Sequence, residues 1–509
     1  MRCPYPQLTE GGVLPPVGHE TVSYSSNIKP LPDDTIRIYN PDLRHEYTIY
    51  TSDITLDKKK NEHDYLWIHG KLRQTHFVIR IMPIQTPYHD DAVYGLAMAS
   101  PYDTPISPPD NHQSVRRNGM YSVLEKNFSA ISPHPSPSPL HGEGAMFTHQ
   151  KGSPPLLHNG EGGRGDEVYD PLHLRAWRYA RLCATPTEHD TLCILTDHMI
   201  LPLSWNRDAY YTARLFLDHP QTHILTQKHL LWMFETAERL NGLWGRSYLA
   251  NGKIKDKGYQ LDQQLFPLLE LAEYVQITGD TALLDHLRGY IQPIFTALAS
   301  HRALHALLYA TDETPADDPI AQPYPLSSHI LLWKVLVELE KIGCADMCPH
   351  TPNDIASSIL KHFIGDHHGK AIFAYATDGH GGHHFYHDAN DVPLVLMPVW
   401  GFCHKDDPVW QGTMDFAFSD ANIGGFYDGV LGSVHTPAPW ALGDCQEWIF
   451  SRIIGDTNRE NMILARLHHA SQWDGALSEA YDRKTGDIIS RHWFLWTNAL
   501  YACIKRGIF

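Results

Sequence analysis

Two acidic residues stand out because each lies at the edge of a distinct predicted element. Asp262 opens an amphipathic helix within KGYQLDQQLFPLLELAEYVQITGD, residues 257–280, and Glu479 lies between two turns in DGALSEAYDRKTGD. A protonated carboxyl and an ionised carboxylate that share a pocket can donate one proton and remove another. Structural roles compete with this hypothesis. Asp262 could simply be a favourable charge at a helix N-terminus, and Glu479 could belong to a solvated surface.

Two further segments place polar side chains where a pocket could use them. In LSWNRDAYYTARLF, Trp205, Arg207 and Asp208 come directly before or at the start of a helix. In DGVLGSVHTPAPW, a glycine-rich approach leads to His435 and Thr436 and then to proline. An Arg–Asp pair can hydrogen-bond sugar hydroxyls, although helix capping and ordinary turn packing are alternatives.

A histidine-rich segment raises the question of a metal site. GHGGHHFYHDANDVP holds four histidines beside Asp388 and Asn390, but it is glycine-rich and lacks the regular spacing of metal ligands. Cys344, Cys348 and His350 are weakly suggestive of half of a zinc site, but the sequence offers no second group of ligands to complete it. We therefore expect no metal and no other cofactor, and we interpret the histidine segment as a loop that is either solvated or at the edge of a substrate site.

The elements that must position these residues follow two periodicities. From about residue 170 the apolar pattern has the 3.6-residue period of helices. Twelve helices are predicted: 171–184, 206–218, 221–239, 262–278, 281–300, 326–342, 352–364, 391–404, 408–418, 443–455, 457–472 and 491–506. No internal repeat supports a solenoid. The expected fold is mainly α, an (α/α)6 toroid in which the inner helices converge on one pocket.

The N-terminal part has a different composition. Residues 1–130 include short alternating segments such as DTIRIYN and THFVIRIMPI, which predict a small β-rich, sandwich-like domain. Residues 131–168 are rich in Pro, Gly and Ser and predict a disordered insertion. The catalytic domain is then expected over residues 169–509.

The net charge and the N-terminal sequence limit the kinds of partner and the cellular location that we expect. The chain of 509 residues has a formal net charge of −17, which disfavours phosphate backbones and anionic membranes, so we expect no nucleic-acid or membrane partner. The opening MRCPYPQLTEGG has no apolar signal region, and eight scattered cysteines suggest reduced thiols. These features predict a cytoplasmic protein; they leave its oligomeric state open.

Together these groups suit the hydrolysis of a glycosidic bond. That reaction needs one carboxylic acid to protonate the leaving oxygen and a second carboxylate to activate water or attack carbon. A toroid that brings Asp262 and Glu479 into one pocket lined by Trp and Tyr would supply this pair without a metal. The sequence offers no nucleophile elbow, and no phosphate-binding glycine loop follows a strand.

The helical part, from about residue 170 to 509, resembles glycoside hydrolase family 125, the metal-independent exo-α-1,6-mannosidases within the six-hairpin glycosidases. Family motifs of the types W-x-x-RD, YELDS followed by TGD, D-x-N-x-P, SPHT, and HESF followed by TREWFAWAN occur in the same order. Their counterparts here are WNRD, YQLDQQLFPLLELAEYVQITGD, DANDVP, GSVHT, and SEAYD followed by SRHWFLWTNAL.

The resemblance implies roles and a stereochemical course. Asp262 falls on the general acid and Glu479 on the general base of an inverting, exo-acting enzyme, for which a carboxyl separation of about 6.5–9.5 Å is expected. The residues expected to contact an oligosaccharide or glycoside substrate are Trp205, Arg207, Asp208, Tyr259, Asp388, Asn390, His435, Thr436, Arg491 and Trp493.

Departures from the family pattern leave the sugar open. Gln260 and Gln263 stand where the family has Glu and Ser, and Ser478 stands where it has His. The β-rich N-terminal part is instead similar to that of glucoamylases and glycogen-debranching glucosidases. An α-mannoside substrate is favoured, an α-glucosidase is the alternative enzyme, and a catalytically inactive glycan-binding toroid is the alternative from another class.

Overall fold

The computed structural model describes residues 171–509, apart from 199–200 and 473–474, together with nine strands between residues 7 and 98. These strands are β1 Gln7–Leu8, β2 Val22–Ser23, β3 Asn27–Leu31, β4 Thr35–Asn40, β5 His45–Tyr50, β6 Ile54–Lys60, β7 Leu66–Leu72, β8 Phe77–Pro83 and β9 Tyr94–Met98. An antiparallel sheet has the order β3-β4-β5-β8-β9, and β6 pairs with β7. Sandwich-like closure stays a prediction, and the predicted insertion 131–168 lies outside the described residues.

The described part of the chain contains fourteen α-helices. They are α1 Pro171–Cys183, α2 Asn206–Phe216, α3 His223–Leu231, α4 Leu261–Thr278, α5 Thr281–Leu287, α6 Ile291–Leu298, α7 Leu326–Lys341, α8 Pro352–His362, α9 Val392–Val395, α10 Met397–Trp400, α11 Pro408–Ala417, α12 Ala441–Ile454, α13 Thr457–Ala470 and α14 Leu495–Lys505. None of these helices combines the length and apolar character that crossing a bilayer requires.

Six of the helices form a closed inner ring. In order around the ring these are α2, α4, α7, α9, α12 and α14; each contacts the next, and α14 contacts α2. Most of their residues are buried, as expected for helices covered on all sides. The other helices lie outside this ring, for example α1 against α14, α8 against α7 and α13 against α12. This arrangement confirms the predicted (α/α)6 toroid.

Short strands connect the helices. They are β10 Ala184–Pro186, β11 Leu192–Ile194, β12 Arg239–Leu240, β13 Leu243–Trp244, β14 Ser247–Tyr248, β15 Ile254–Asp256, β16 Tyr324–Pro325, β17 Ile364–His367, β18 Lys370–Phe373, β19 Ala376–Thr377, β20 His383–His384, β21 Phe426–Tyr427, β22 Val430–Ser433, β23 Ala438–Pro439, β24 Ala480–Tyr481 and β25 Ile488–Ser490. They pair in small antiparallel sheets of two or three strands, which brace the loops at the helix ends.

The predicted helix 391–404 is divided into α9 and α10. Pro398 has no backbone N–H, so the carbonyl of Leu394, four residues earlier, receives no helical hydrogen bond from it. The indole Nε1 of Trp410 donates to that carbonyl instead, at 3.0 Å. Tertiary packing thus satisfies the backbone group that the proline leaves free.

Two other predicted helix boundaries are wrong. The predicted helix 281–300 is interrupted by a 3-10 turn at Arg288–Tyr290, which separates α5 from α6. The last helix begins at Leu495 and not at 491, because Arg491 has a left-handed backbone with φ of 44°. A helix cannot continue through that conformation, so Arg491 and Trp493 belong to the preceding loop.

Candidate active site

The polar residues predicted to form a site gather at the N-terminal ends of inner helices. Arg207 and Asp208 occupy the first turn of α2, and Asp262 occupies the first turn of α4. Asn390 lies two residues before α9, and Arg491 lies four residues before α14. All four helices belong to the inner ring, and electrostatic interactions link their N-terminal ends: Asp391 interacts with Asp262 and Arg207, and Asp208 interacts with Arg491.

Asp262 is almost completely buried and faces Arg207. The guanidinium Nη1 of Arg207 donates to Asp262 Oδ2 at 2.8 Å, and the backbone N–H of Gln263 donates to Asp262 Oδ1 at 2.9 Å. Asp262 therefore does more than charge the start of a helix. Pro267, inside α4, has no backbone N–H, so the Gln263 carbonyl four residues earlier receives no helical hydrogen bond from it. Asn206 Nδ2 donates to that carbonyl instead, at 2.7 Å.

Glu479 is also buried, and both of its carboxylate oxygens have a partner. Arg491 Nη1 donates to Oε1 at 2.9 Å, and the Ser490 hydroxyl donates to Oε2 at 2.7 Å. The Glu479 backbone N–H donates to the Arg491 carbonyl at 3.0 Å. Glu479 is thus held by the β24–β25 hairpin and is not a solvated surface residue.

Arg207 and Arg491 connect the two carboxylates through Asp208, and each arginine also lies over an aromatic ring. The Arg207 guanidinium lies 5.1 Å from the centre of the Trp496 ring, and that of Arg491 lies 5.7 Å from the centre of the Trp205 ring. Asp208 interacts electrostatically with both arginines. Asp262 and Glu479 therefore belong to one network of alternating charges.

The surroundings of Asp262 shift the pKa of its carboxyl. Burial raises its pKa because the charged form loses hydration, whereas the Arg207 charge and hydrogen bond oppose that rise. The net direction is upward. A carboxyl that keeps its proton closer to neutral pH can act as a general acid.

Asp208 should make the stability of the protein depend on pH. Burial raises the pKa of Asp208 from 3.8 to about 6. Between these values the folded state binds more protons than the unfolded state, so the free energy of unfolding falls as pH rises, by about 3 kcal/mol in total. We expect Asp208→Asn to remove this decline, as measured by urea unfolding between pH 4 and 7.

Asp280→Asn provides a control of opposite sign. Asp280 caps α5, and the hydrogen bond that its carboxylate accepts from the Leu283 N–H lowers the pKa of the Asp280 carboxyl. A lowered folded-state pKa gives stability that is lost as pH falls. In Asp280→Asn the free energy of unfolding should therefore no longer show this decrease at acid pH. An Asp208→Asn protein with the same pH slope as the intact protein would contradict the burial argument.

Asp388 and Asn390 bind each other. The backbone N–H and Nδ2 of Asn390 donate to Asp388 Oδ1 at 2.9 and 2.7 Å, and the Tyr386 hydroxyl donates to Oδ2. Asp388 thus closes a turn at the entry to α9. Asp391 is fully buried beside it, and its pKa is raised by burial and then by Asp388.

His435 and Thr436 lie on the loop between β22 and β23. His435 Nδ1 is 3.2 Å from Asp318 Oδ1, and both side chains are partly exposed. The Asp318 contact, together with the negative charge of Glu479, raises the pKa of His435. His435 is therefore near Glu479, whereas the Thr436 carbonyl accepts a hydrogen bond from Trp440 Nε1 at 3.0 Å.

Tyr259 and Trp493 are set mainly by neighbouring rings. The Tyr259 ring stacks on His301 with a centroid distance of 3.8 Å and is 9% exposed, so little of it is available as a sugar platform. Trp493 packs edge-on against His198 at 4.8 Å and is half-buried.

The histidines of the segment 380–387 point to different partners. His380 stacks on His305, His383 contacts the His362 carbonyl, His384 stacks on Tyr386, and His387 bonds Gln446. Within the described ranges, no three His, Cys, Asp or Glu side chains converge in a way that could hold a metal ion.

Sequence reasoning missed Gln260 and Asp317 as members of the site. Gln260 Oε1 accepts from Arg207 Nη1 at 3.2 Å, and Gln260 Nε2 donates to Asp317 Oδ1 at 2.6 Å. Gln260 could have been suspected because it lies two residues before Asp262. Asp317 lies in TDETPADDPI, where the acidic, proline-containing composition indicates only a loop.

Comparisons with known proteins agree with this fold. Residues 303–504 match the sequence profile of the metal-independent alpha-mannosidase family (GH125). The meiotically up-regulated gene 157 protein of Schizosaccharomyces pombe is 30% identical over 203 residues, which cover 37% of this chain and 39% of that protein. The chain thus spans well under half the length of this relative.

Two solved structures share the fold. One is a metal-independent alpha mannosidase of Streptococcus pneumoniae in a non-productive complex with α-1,6-mannobiose. The mannosidase and the present structure superpose with a TM-score of 0.56 and 19% sequence identity, and the match covers 67% of this chain and 95% of the mannosidase chain. The other is a bacterial glucoamylase complexed with acarbose, with a TM-score of 0.52 at 11% identity, covering 95% of this chain and 85% of that one. Residues 303–504 therefore resemble the metal-independent alpha-mannosidases of family GH125, and the toroid has the fold of these two solved glycosidases.

Proposed function

We propose that this protein is an inverting, exo-acting glycoside hydrolase that removes terminal α-linked sugars, with α-mannosides as the favoured substrates. The observation that carries the proposal is the pair of buried carboxylates, each bound to its own arginine in one charge network. Two acidic groups with separate surroundings can be kept in different protonation states, which acid–base catalysis requires. The family match of residues 303–504 supports the mannoside.

In the proposed reaction Asp262 protonates the glycosidic oxygen as the bond from that oxygen to the anomeric carbon breaks. Glu479 accepts a proton from a water molecule that attacks the anomeric carbon from the opposite face. The Ser490 and Arg491 donors keep the Glu479 carboxylate in a fixed orientation toward that water. The proposal assigns no step to a metal or other cofactor.

The remaining predicted contacts form the proposed sugar site. Arg207 and Asp208 lie beside the acid, His435 lies near the base, and the Trp205 indole donates to Asp317 at 3.2 Å. Buried polar groups of this kind select sugars by their hydroxyl pattern, because a mismatched hydroxyl leaves a group unpaired. Tyr259, Thr436 and Trp493 are proposed to shape the site with less direct contact.

The domain organisation and location belong to the same proposal. We assign residues 1–130 to a small β-rich domain, 131–168 to an insertion and 169–509 to the catalytic toroid. The acidic charge favours uncharged oligosaccharide partners over nucleic acid or membranes. A cytoplasmic location is supported by the free thiols of the seven described cysteines.

An α-glucosidase of glucoamylase type is the second candidate. The likeness to the glucoamylase fold extends over 95% of this chain and so includes its N-terminal part. Gln260 and Ser478, which depart from the mannosidase motifs, both lie next to the proposed catalytic carboxylates. A changed hydroxyl preference is therefore compatible with the same acid and base.

A disaccharide panel tests these candidates. The intact protein is incubated with α-1,6-mannobiose, α-1,3-mannobiose, isomaltose and maltose, with and without EDTA. We expect mannose release from a mannobiose, unaffected by the chelator. Glucose release from isomaltose or maltose alone would select the glucosidase. Sugar binding without turnover, equal in the intact protein and Glu479→Gln, would indicate a glycan-binding toroid.

A further inference from the structure

Asp317 lies on the loop that joins α6 to α7, in a turn that fixes its direction. The Thr314 N–H donates to the Asp318 carbonyl at 2.7 Å, and the Asp317 N–H donates to the Thr314 carbonyl at 3.0 Å. Asp317 has φ of 65°, a left-handed conformation that is uncommon outside glycine and that Asp and Asn tolerate best. Such residues often occur where a side chain must point to a functional site.

The Asp317 carboxylate contacts three residues around the proposed acid. Oδ1 accepts from Gln260 Nε2 at 2.6 Å and lies 3.6 Å from Arg207 Nη2, while Oδ2 accepts from Trp205 Nε1 at 3.2 Å. The side chain is 23% exposed, in contrast to the nearly buried Asp262. Asp317 is thus an accessible carboxylate on the same guanidinium that binds Asp262.

We infer that Asp317 is a positioning residue for the proposed acid: it competes with Asp262 for Arg207 and fixes the neighbouring Gln260 and Trp205. This inference rests on the proposed function. An arginine devoted to Asp262 would stabilise its ionised form and make it a poor proton donor. A second carboxylate on that arginine reduces this stabilisation, and its own charge opposes ionisation of Asp262.

The charges around Asp262 agree with this role. After burial and the opposing contributions of Arg207, Asp317 is the next influence on the Asp262 pKa, and it raises that pKa. The other titratable or charged groups that face Asp262 come from several elements: Arg207 and Tyr211 on α2, Tyr259 before α4, and Asp391 at the start of α9. Asp208 reaches it through Arg207.

Removing the Asp317 charge should therefore change the pH profile more than the maximal rate. The pKa of Asp262 should fall in Asp317→Asn, so the alkaline limb of kcat against pH moves to lower pH by about one unit. Asp317→Gly, which adopts the left-handed backbone without strain, should give the same shift. Asp312→Asn, an exposed carboxylate on the same loop, should give none.

Two readouts separate this role from general damage. With an aryl α-mannoside whose leaving group needs no protonation, the shift should disappear. The carboxyl ¹³C resonance of Asp262, assigned by its loss in Asp262→Asn, should titrate at lower pH in Asp317→Asn even where no substrate is turned over. Unchanged titration of that resonance in both Asp317 variants would overturn the inference. Absence of hydrolysis by the intact protein, with the resonance shifted, would overturn the proposed function alone.

Discussion

Asp262→Asn is expected to lower kcat for α-1,6-mannobiose by about 10²- to 10⁴-fold, the usual contribution of a general acid. Asparagine keeps the size of the side chain but cannot supply a proton to the leaving oxygen. The loss should be much smaller for a 2,4-dinitrophenyl α-mannoside, because that leaving group departs as a stable anion. Steady-state kinetics on both substrates measure the difference.

Asp456→Asn is the matched control for that substitution. Asp456 caps the outer helix α13 by accepting from the Arg459 N–H at 3.0 Å, so it shares the helix-terminal position but not the charge network. Because asparagine caps helices about as well as aspartate, its replacement should remove only the charge–dipole contribution of about 0.3–1 kcal/mol and leave kcat unchanged. If Asp262→Asn lost equal activity on both substrates, Asp262 would be a structural residue and not the acid.

Glu479→Gln is expected to lower kcat by a similar 10²- to 10⁴-fold, but equally on both substrates. The base acts on the attacking water, so a better leaving group cannot replace it. Glu479→Ala should recover turnover in the presence of azide, a nucleophile that needs no base. The expected product is the β-glycosyl azide, because attack comes from the face opposite the α-linked leaving group.

Glu460→Gln controls for the loss of a glutamate elsewhere. Glu460 lies on α13 and accepts from Trp448 Nε1 at 2.8 Å, outside the proposed site. The kcat of Glu460→Gln should match that of the intact protein. A Glu479→Gln protein that remained active on the aryl mannoside while losing the disaccharide would reverse the roles of the two carboxylates.

The toroid could be predicted because its signals are local. Apolar residues at helical spacing locate the helices, and the polar residues near the helix starts at Asn206, Leu261 and Leu495 locate the ends that face the pocket. The spacing of apolar residues alone cannot reveal where a tertiary contact replaces a backbone hydrogen bond of a helix. The division of α9 from α10 depends on the Trp410 indole, which is remote in sequence from Pro398.

The site was predictable only in part, for a related reason. Asp262, Arg207 and Asp208 lie on regular helices, so their convergence follows from the ring. Asp317 owes its position to a left-handed turn in a loop without periodicity, and its three contacts come from segments at least 57 residues away in sequence. The internal bonds of Asp388 were likewise invisible, since a carboxylate in DANDVP fits a turn and a sugar contact equally well.

The most direct test of the central claim is ¹H NMR of α-1,6-mannobiose hydrolysis, following the anomeric signals during the first turnovers. The reducing-end mannose is freed as the anomeric mixture already present in the substrate, so the diagnostic signal is the mannose from the non-reducing end. With Asp262 as acid and Glu479 as base, this should appear as an early excess of β-mannose that mutarotates afterwards, and Asp262→Asn should release almost none. If the early excess were α-mannose, or if the intact protein and Asp262→Asn released mannose at the same rate, the proposed acid–base pair would be wrong.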